Sequence, residues 1–154
     1  MAKREESYRK MVAQNRRARY DYFIEETIEA GIVLTGAEVK SIRINGANIN
    51  DSYATVENGE LILINSHITE YSKASAFNKF EAKRNRKLLV KKREIKKFIG
   101  LTQKKGFSLV PLELYFNKKN LVKITLAVVK GKKEYDKREA IKQAEWKREK
   151  ARIE

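Results

Sequence analysis

Residues 110–129 read VPLELYFNKKNLVKITLAVV, and this stretch decides the fold class. Val122, Ile124, Leu126 and Val128 alternate with Lys123, Thr125 and Ala127, the period of two that turns one face of a strand inward. Val110, Leu112, Leu114 and Phe116 alternate in the same way just upstream. Asn117-Lys118-Lys119-Asn120 between the two runs fits a hairpin loop. Pro111, the only proline, has no N–H to give a ladder, so its strand is expected to be an edge or to bulge there.

Moving outward, Asn58-Gly59 separates SYATVE (52–57) from ELILINSHI (60–68). Asn-Gly suits the positive φ angles of a type I′ turn, which predicts a second hairpin. Tyr22, Ile24, Ile28, Ile32 and Leu34 predict a long first strand, with Gly31 a candidate bulge. Thr35-Gly36-Ala37-Glu38 fits a capping box opening a helix whose apolar face is Val39 and Ile42, and Asn45-Gly46 stops it. A second helix is expected over about 92–104, burying Ile95, Phe98 and Ile99, with Gly100 weakening it. About five antiparallel strands with helices between them point to a mainly β chain. The expected architecture is a small closed or partly open barrel of the oligonucleotide-binding kind, spanning residues 1–130.

Composition narrows the chemistry. Leu, Ile, Val and Phe make up about a quarter of the 154 residues, enough for one core. No apolar run approaches the ~18 residues of a membrane span, and the charged start MAKREESYRK lacks the apolar stretch of a secretory signal, so a cytoplasmic location is expected. With no cysteine and His67 the single histidine, most triad and metal-site chemistry loses its commonest participants. The charge is the positive signal: 35 Lys and Arg against 20 Asp and Glu, a formal +15. Residues 83–105 alone hold eleven basic residues and one acid, Glu94. Such a run is either a solvated face or the footprint of a polyanion, and like charges this dense repel one another without one.

After Gly131 the character changes. KGKKEYDKREAIKQAEWKREKARIE (130–154) is rich in helix formers, yet Ala140, Ala144 and Ala151 lie on one side while Trp146 and Ile153 lie on another. A helix without a wide apolar stripe has little with which to dock on its own barrel. Residues 131–154 are therefore expected to be a basic tail, disordered alone and folding where a partner supplies the surface. Trp146 then awaits a cover, the other reading being that it packs on the barrel.

The run RRARYDYFIEETIEAGIVLTGAEVKSIRINGANINDSYA (16–54) closely resembles the start of small protein B, the SsrA (tmRNA)-binding protein family. RKLLVKKREI (86–95), GFSLVPLELYF (106–116), KITLAVVKGKKEYDKRE (123–139) and the end from Trp146 to Ile153 match in the same order. Tyr20 and Tyr135 stand where members often have histidine, and Asn85 where threonine is usual. The resemblance implies ribosome rescue by trans-translation. In it the protein holds the tRNA-like part of tmRNA, stands in for the anticodon arm in the vacant decoding site, and lays its tail as a helix in the empty mRNA channel of the ribosome. The partners it implies are tmRNA, the ribosome, elongation factor Tu with GTP, and alanyl-tRNA synthetase acting on the same RNA. No cofactor or membrane is implied, and the free protein is expected to be a monomer.

By the same resemblance Glu29, Leu89 and Lys123 are tmRNA-binding positions. For Glu29 two readings stand: a buried carboxylate ordering nearby cations, or a direct hydrogen bond to a base or ribose hydroxyl. Leu89 is either core or an apolar contact with an exposed base. Lys123 alternates outward on its strand and suits a phosphate contact. Arg16, Arg19, Lys40, Arg43, Arg84 and Lys87 join them on charge and position alone. In the tail, Gly131 resembles the family's hinge, Asp136-Lys137-Arg138 its decoding-centre segment, and Trp146 and Ile153 the apolar pair of its channel helix. Two rivals remain to be weighed. One is a general basic RNA-binding or ribosomal protein. The other is a Mg²⁺-dependent nuclease built on Glu25, Glu26, Glu29 and Asp51, although these carboxylates are not expected to converge.

Overall fold

The computed structural model describes residues 9–70, 80–103, 107–131 and 146. Within them the order is β1 (Lys10–Gln14), α1 (Arg17–Asp21), β2 (Tyr22–Ile32), α2 (Gly36–Asn45), β3 (Tyr53–Glu57), β4 (Glu60–Ile64), β5 (Arg86–Leu89), α3 (Lys92–Thr102), β6 (Phe107–Phe116) and β7 (Val122–Gly131). Seven antiparallel strands replace the five expected; β1 and β5 are the additions. The hydrogen-bonded neighbours run β6-β3-β4-β5-β2-β7, and β7 pairs again with β6, so six strands form a closed ring with β1 added on the edge of β6.

The local signals explain most of these elements. Asn58 and Gly59 take φ of 52° and 76°, the left-handed pair that a type I′ turn requires and that glycine adopts without cost. At the second hairpin Asn117 Oδ1 accepts from the amides of Lys119 and Leu121, both at 3.0 Å. At the start of α2 the capping box forms: Thr35 Oγ1 accepts from the Glu38 amide at 3.2 Å, and Glu38 Oε1 from the Thr35 amide at 2.9 Å.

The long strands do not keep one phase. In β2 the register against β7 slips between Ile24 and Glu26, and in β6 it slips between Pro111 and Glu113. Each extra residue swaps the faces downstream of it. Tyr22 and Ile24 therefore meet an outer cluster of Ala18, Val110, Leu112, Ala127 and Val129, while Ile28, Ala30 and Leu114 face the ring's interior with Leu61, Leu63, Leu109, Ile124 and Leu126. The single apolar face expected for Val110, Leu112, Leu114 and Phe116 is thus divided among three clusters. Toward its C-terminal end β7 is buried on both faces, because α1 brings Ala18 against its outer side.

Gly31 is not a bulge. It lies opposite both Leu89 and Lys123 in unbroken register, and a Cβ there would sit 3.3 Å from Leu89 Cβ. Its role is close approach between strands. Helix α3 ends at Thr102 and fully buries only Phe98, with Ile95 and Ile99 half-buried.

Candidate nucleic-acid interface

Directly opposed residues on antiparallel strands point to the same side of the sheet. Across β5, β2, β7 and β6 one such row reads Leu89, Gly31, Lys123, Tyr115, and the next reads Glu29, Thr125, Glu113 across β2, β7 and β6. Ala30 between the rows is in the core, so Glu29 and Gly31 face outward. The three carried-over positions Glu29, Leu89 and Lys123 therefore share one outer face. Leu89 lies over Gly31 and is 53% exposed, which removes the core reading for it. Lys123 is half-buried and Glu29 exposed.

Glu29 is not a buried carboxylate, but it is held. Its Oε2 accepts from the hydroxyl of Tyr115. The Arg9 guanidinium stands 4.6 Å above the Tyr115 ring and donates to Glu113 Oε2 at 3.0 Å. Burial, then the hydrogen bond to Glu29, push the Tyr115 phenol up to about 12. Neither Arg9 nor Tyr115 was singled out by the sequence. Tyr115 reaches this face because of the slip at Leu112, which no alternation count predicts.

The basic run 83–105 divides between fold and surface. Arg86 is fully buried; its Nε donates to Glu38 Oε2 at 2.6 Å and one terminal nitrogen to the carbonyl and hydroxyl oxygens of Ser66, both at 3.0 Å. Arg84 donates to Glu38 Oε1 at 2.5 Å and keeps 35% of its side chain exposed. Burial alone would raise the Glu38 carboxyl, but the Arg84 hydrogen bond, the Thr35 amide and the Arg86 charge outweigh it and hold the group below its ordinary value. Burial likewise lowers Arg86, opposed by Glu38. Glu38 was read only as a cap; its larger part is to supply the countercharge to buried Arg86 while also accepting from part-exposed Arg84.

Lys87 pairs with Glu60 at 3.0 Å and Lys97 with Glu26 at 2.5 Å, both on the surface. Lys83, Lys91, Lys92, Arg93 and Lys96 are exposed. On α2, Lys40 and Arg43 are exposed, with Arg43 standing 4.4 Å over the Phe116 ring. Arg16, Arg19 and the 81%-exposed Tyr20 border a shallow cleft with Leu112 and Glu113. Gly131 ends β7 opposite Tyr22. Trp146 is 62% exposed, while Asp136, Lys137, Arg138 and Ile153 lie outside the described residues.

Of the carboxylates considered for a nuclease, Glu26 is engaged by Lys97 and Glu29 by Tyr115. Among the described residues no three His, Asp or Glu side chains gather in a way that could hold a metal ion. No helix among them is long and apolar enough to cross a membrane.

Comparison with known proteins agrees in sequence and in shape. The profile of the SmpB protein family matches residues 12–154. The SsrA-binding protein of Novosphingobium aromaticivorans is 56% identical over 145 residues, covering 94% of this chain and 90% of that one. That of Bartonella henselae is 54% identical over 145 residues, covering 94% and 91%. A solved structure described as "tmRNA-SmpB: a journey to the center of the bacterial ribosome" superposes with a TM-score of 0.65 at 46% identity, over 79% of this chain and 84% of its counterpart. With a family profile spanning nearly its whole length and relatives more than half identical, this chain belongs to the SmpB protein family.

Proposed function

We propose that this protein binds tmRNA and acts in trans-translation, rescuing ribosomes stalled on broken messages. The observation that carries the reading is the outer face bearing Glu29, Leu89 and Lys123, in a chain 56% identical to an SsrA-binding protein. The face has the right chemistry for folded RNA. Lys123 offers charge to a phosphate, Leu89 an apolar surface to a splayed base, and Glu29 an acceptor for a base N–H or a ribose hydroxyl. Exposed Arg16, Arg19, Lys40 and Arg43 extend the positive field around it. Lys87 joins them at the cost of a weak surface ion pair, whereas Arg84 serves chiefly the fold.

The closed six-strand ring is read as a barrel of the oligonucleotide-binding kind, with the domain spanning residues 1–130 and the tail beginning at Gly131. Beyond it the tail, through Asp136, Lys137, Arg138, Trp146 and Ile153, engages the decoding centre and the empty mRNA channel. Message and tail compete for one space, so the tail tests for missing mRNA. The protein works as a cytoplasmic monomer without chemistry of its own. Aminoacylation by alanyl-tRNA synthetase and delivery by elongation factor Tu with GTP act on the bound RNA. Sequencing the RNA that copurifies with the protein from its own cells tests the reading. A single dominant tmRNA is expected; bulk ribosomal RNA alone would favour a general ribosomal protein instead.

A further inference from the structure

Glu29 poses a problem on a face meant for RNA. A carboxylate only accepts hydrogen bonds and is repelled by phosphate, so it can serve only where the RNA presents a donor. A long, exposed glutamate also has to give up rotamer freedom to make such a contact. The described structure contains a device that removes part of that freedom beforehand. The Tyr115 ring is buried, Arg9 covers it at 4.6 Å, and Glu113 anchors Arg9 at 3.0 Å. The hydroxyl is therefore fixed in place, and it donates to one oxygen of Glu29. The other oxygen, Oε1, has no hydrogen-bond partner among the described residues.

We infer that Tyr115 is a positioning residue for RNA binding: its O–H holds the Glu29 carboxylate so that Oε1 meets a donor of the bound RNA, a base N–H or a ribose 2′-hydroxyl. The inference rests on the tmRNA-binding reading and deepens it. The raised phenol agrees with this geometry, since burial and donation to the Glu29 carboxylate both favour the protonated hydroxyl. The competing possibility is that the hydroxyl merely finds Glu29 as the nearest partner for a buried phenol, with no consequence for RNA.

A double-mutant cycle on the full chain separates the two, with tmRNA transcribed from the protein's own genome and binding measured at one fixed salt concentration. Tyr115→Phe keeps the ring and removes only the donor. It should weaken tmRNA binding about tenfold, the scale of one hydrogen bond to a charged group. In a Glu29→Ala background the same change should cost less than about twofold, because nothing is left to position. A loss of equal size in both backgrounds, or affinity of Tyr115→Phe within about twofold of wild type, overturns the inference. Thermal melting checks the fold. Should Tyr115→Phe not fold, Arg9→Ala, which removes the cover above the ring together with the Glu113 ion pair and one positive charge, takes its place in the cycle. Only its coupling to Glu29→Ala is then read, because a lost charge alone costs the same in both backgrounds. Wild-type protein that does not bind tmRNA would instead overturn the functional reading itself.

Discussion

Lys123 concentrates the account at the scale of a single residue. It faces outward between Gly31 and Tyr115, half-buried and with its ammonium on the same side as Glu29 and Leu89. Lys123→Glu should weaken tmRNA binding by ~1–3 kcal/mol, the usual scale for a charged hydrogen-bonded contact, and leave the circular dichroism spectrum unchanged. A melted sheet in that variant would make Lys123 structural. Alternation alone put Lys123 outward from sequence. The exposure of Leu89 was not legible, since LLV (88–90) reads equally as core until Gly31 is seen beneath it. Arg86 misled in the opposite direction. A basic run signals a surface, and only the fold shows that its second arginine is wholly buried on Glu38.

Between α2 and β5, the Glu38–Arg86 pair holds two elements together with no side-chain exposure on either partner. Glu38→Gln should cost ~3–5 kcal/mol of stability, because it leaves a buried guanidinium without its countercharge. The pH dependence has a definite sign. The Glu38 carboxyl titrates lower when folded than its ordinary 4.5, so its contribution is complete above about 4.5 and is lost as pH falls through the folded value. Urea melts across that range should show wild-type stability falling toward acid more steeply than that of Glu38→Gln; parallel curves would remove Glu38 from the account. At this scale the hairpins were legible from Asn58-Gly59 and Asn117–Asn120, as was the capping box of α2. Strand β5 was not, because its four residues are two basic then two apolar, without alternation, inside a run that charge alone marks as surface. The slips in β2 and β6 were only half legible: Pro111 predicted an interruption, while nothing in Ile24-Glu25-Glu26 did.

For the whole molecule, the proposed function assigns tmRNA binding to the ring and the ribosomal step to the tail. None of the described strand pairings lies beyond Gly131, and the tail sequence offers no broad apolar face. Truncation after Gly131 should therefore leave the thermal melt and tmRNA affinity nearly unchanged while abolishing peptide tagging on stalled ribosomes. A hundredfold loss of tmRNA affinity, ~2.7 kcal/mol, would make the tail part of the RNA clamp. Closure of the ring itself was beyond the sequence, since β3 meets β6 through the single pair Ala54 and Leu109. The most direct test of the central claim is the salt dependence of tmRNA binding, measured for wild type and Lys123→Glu in parallel. Affinity should fall linearly on logarithmic axes, with each phosphate contact adding ~0.7–0.9 to the slope, and Lys123→Glu should lower that slope by about one contact. A flat wild-type line, or two lines of equal slope, would contradict the claim that this face holds the RNA.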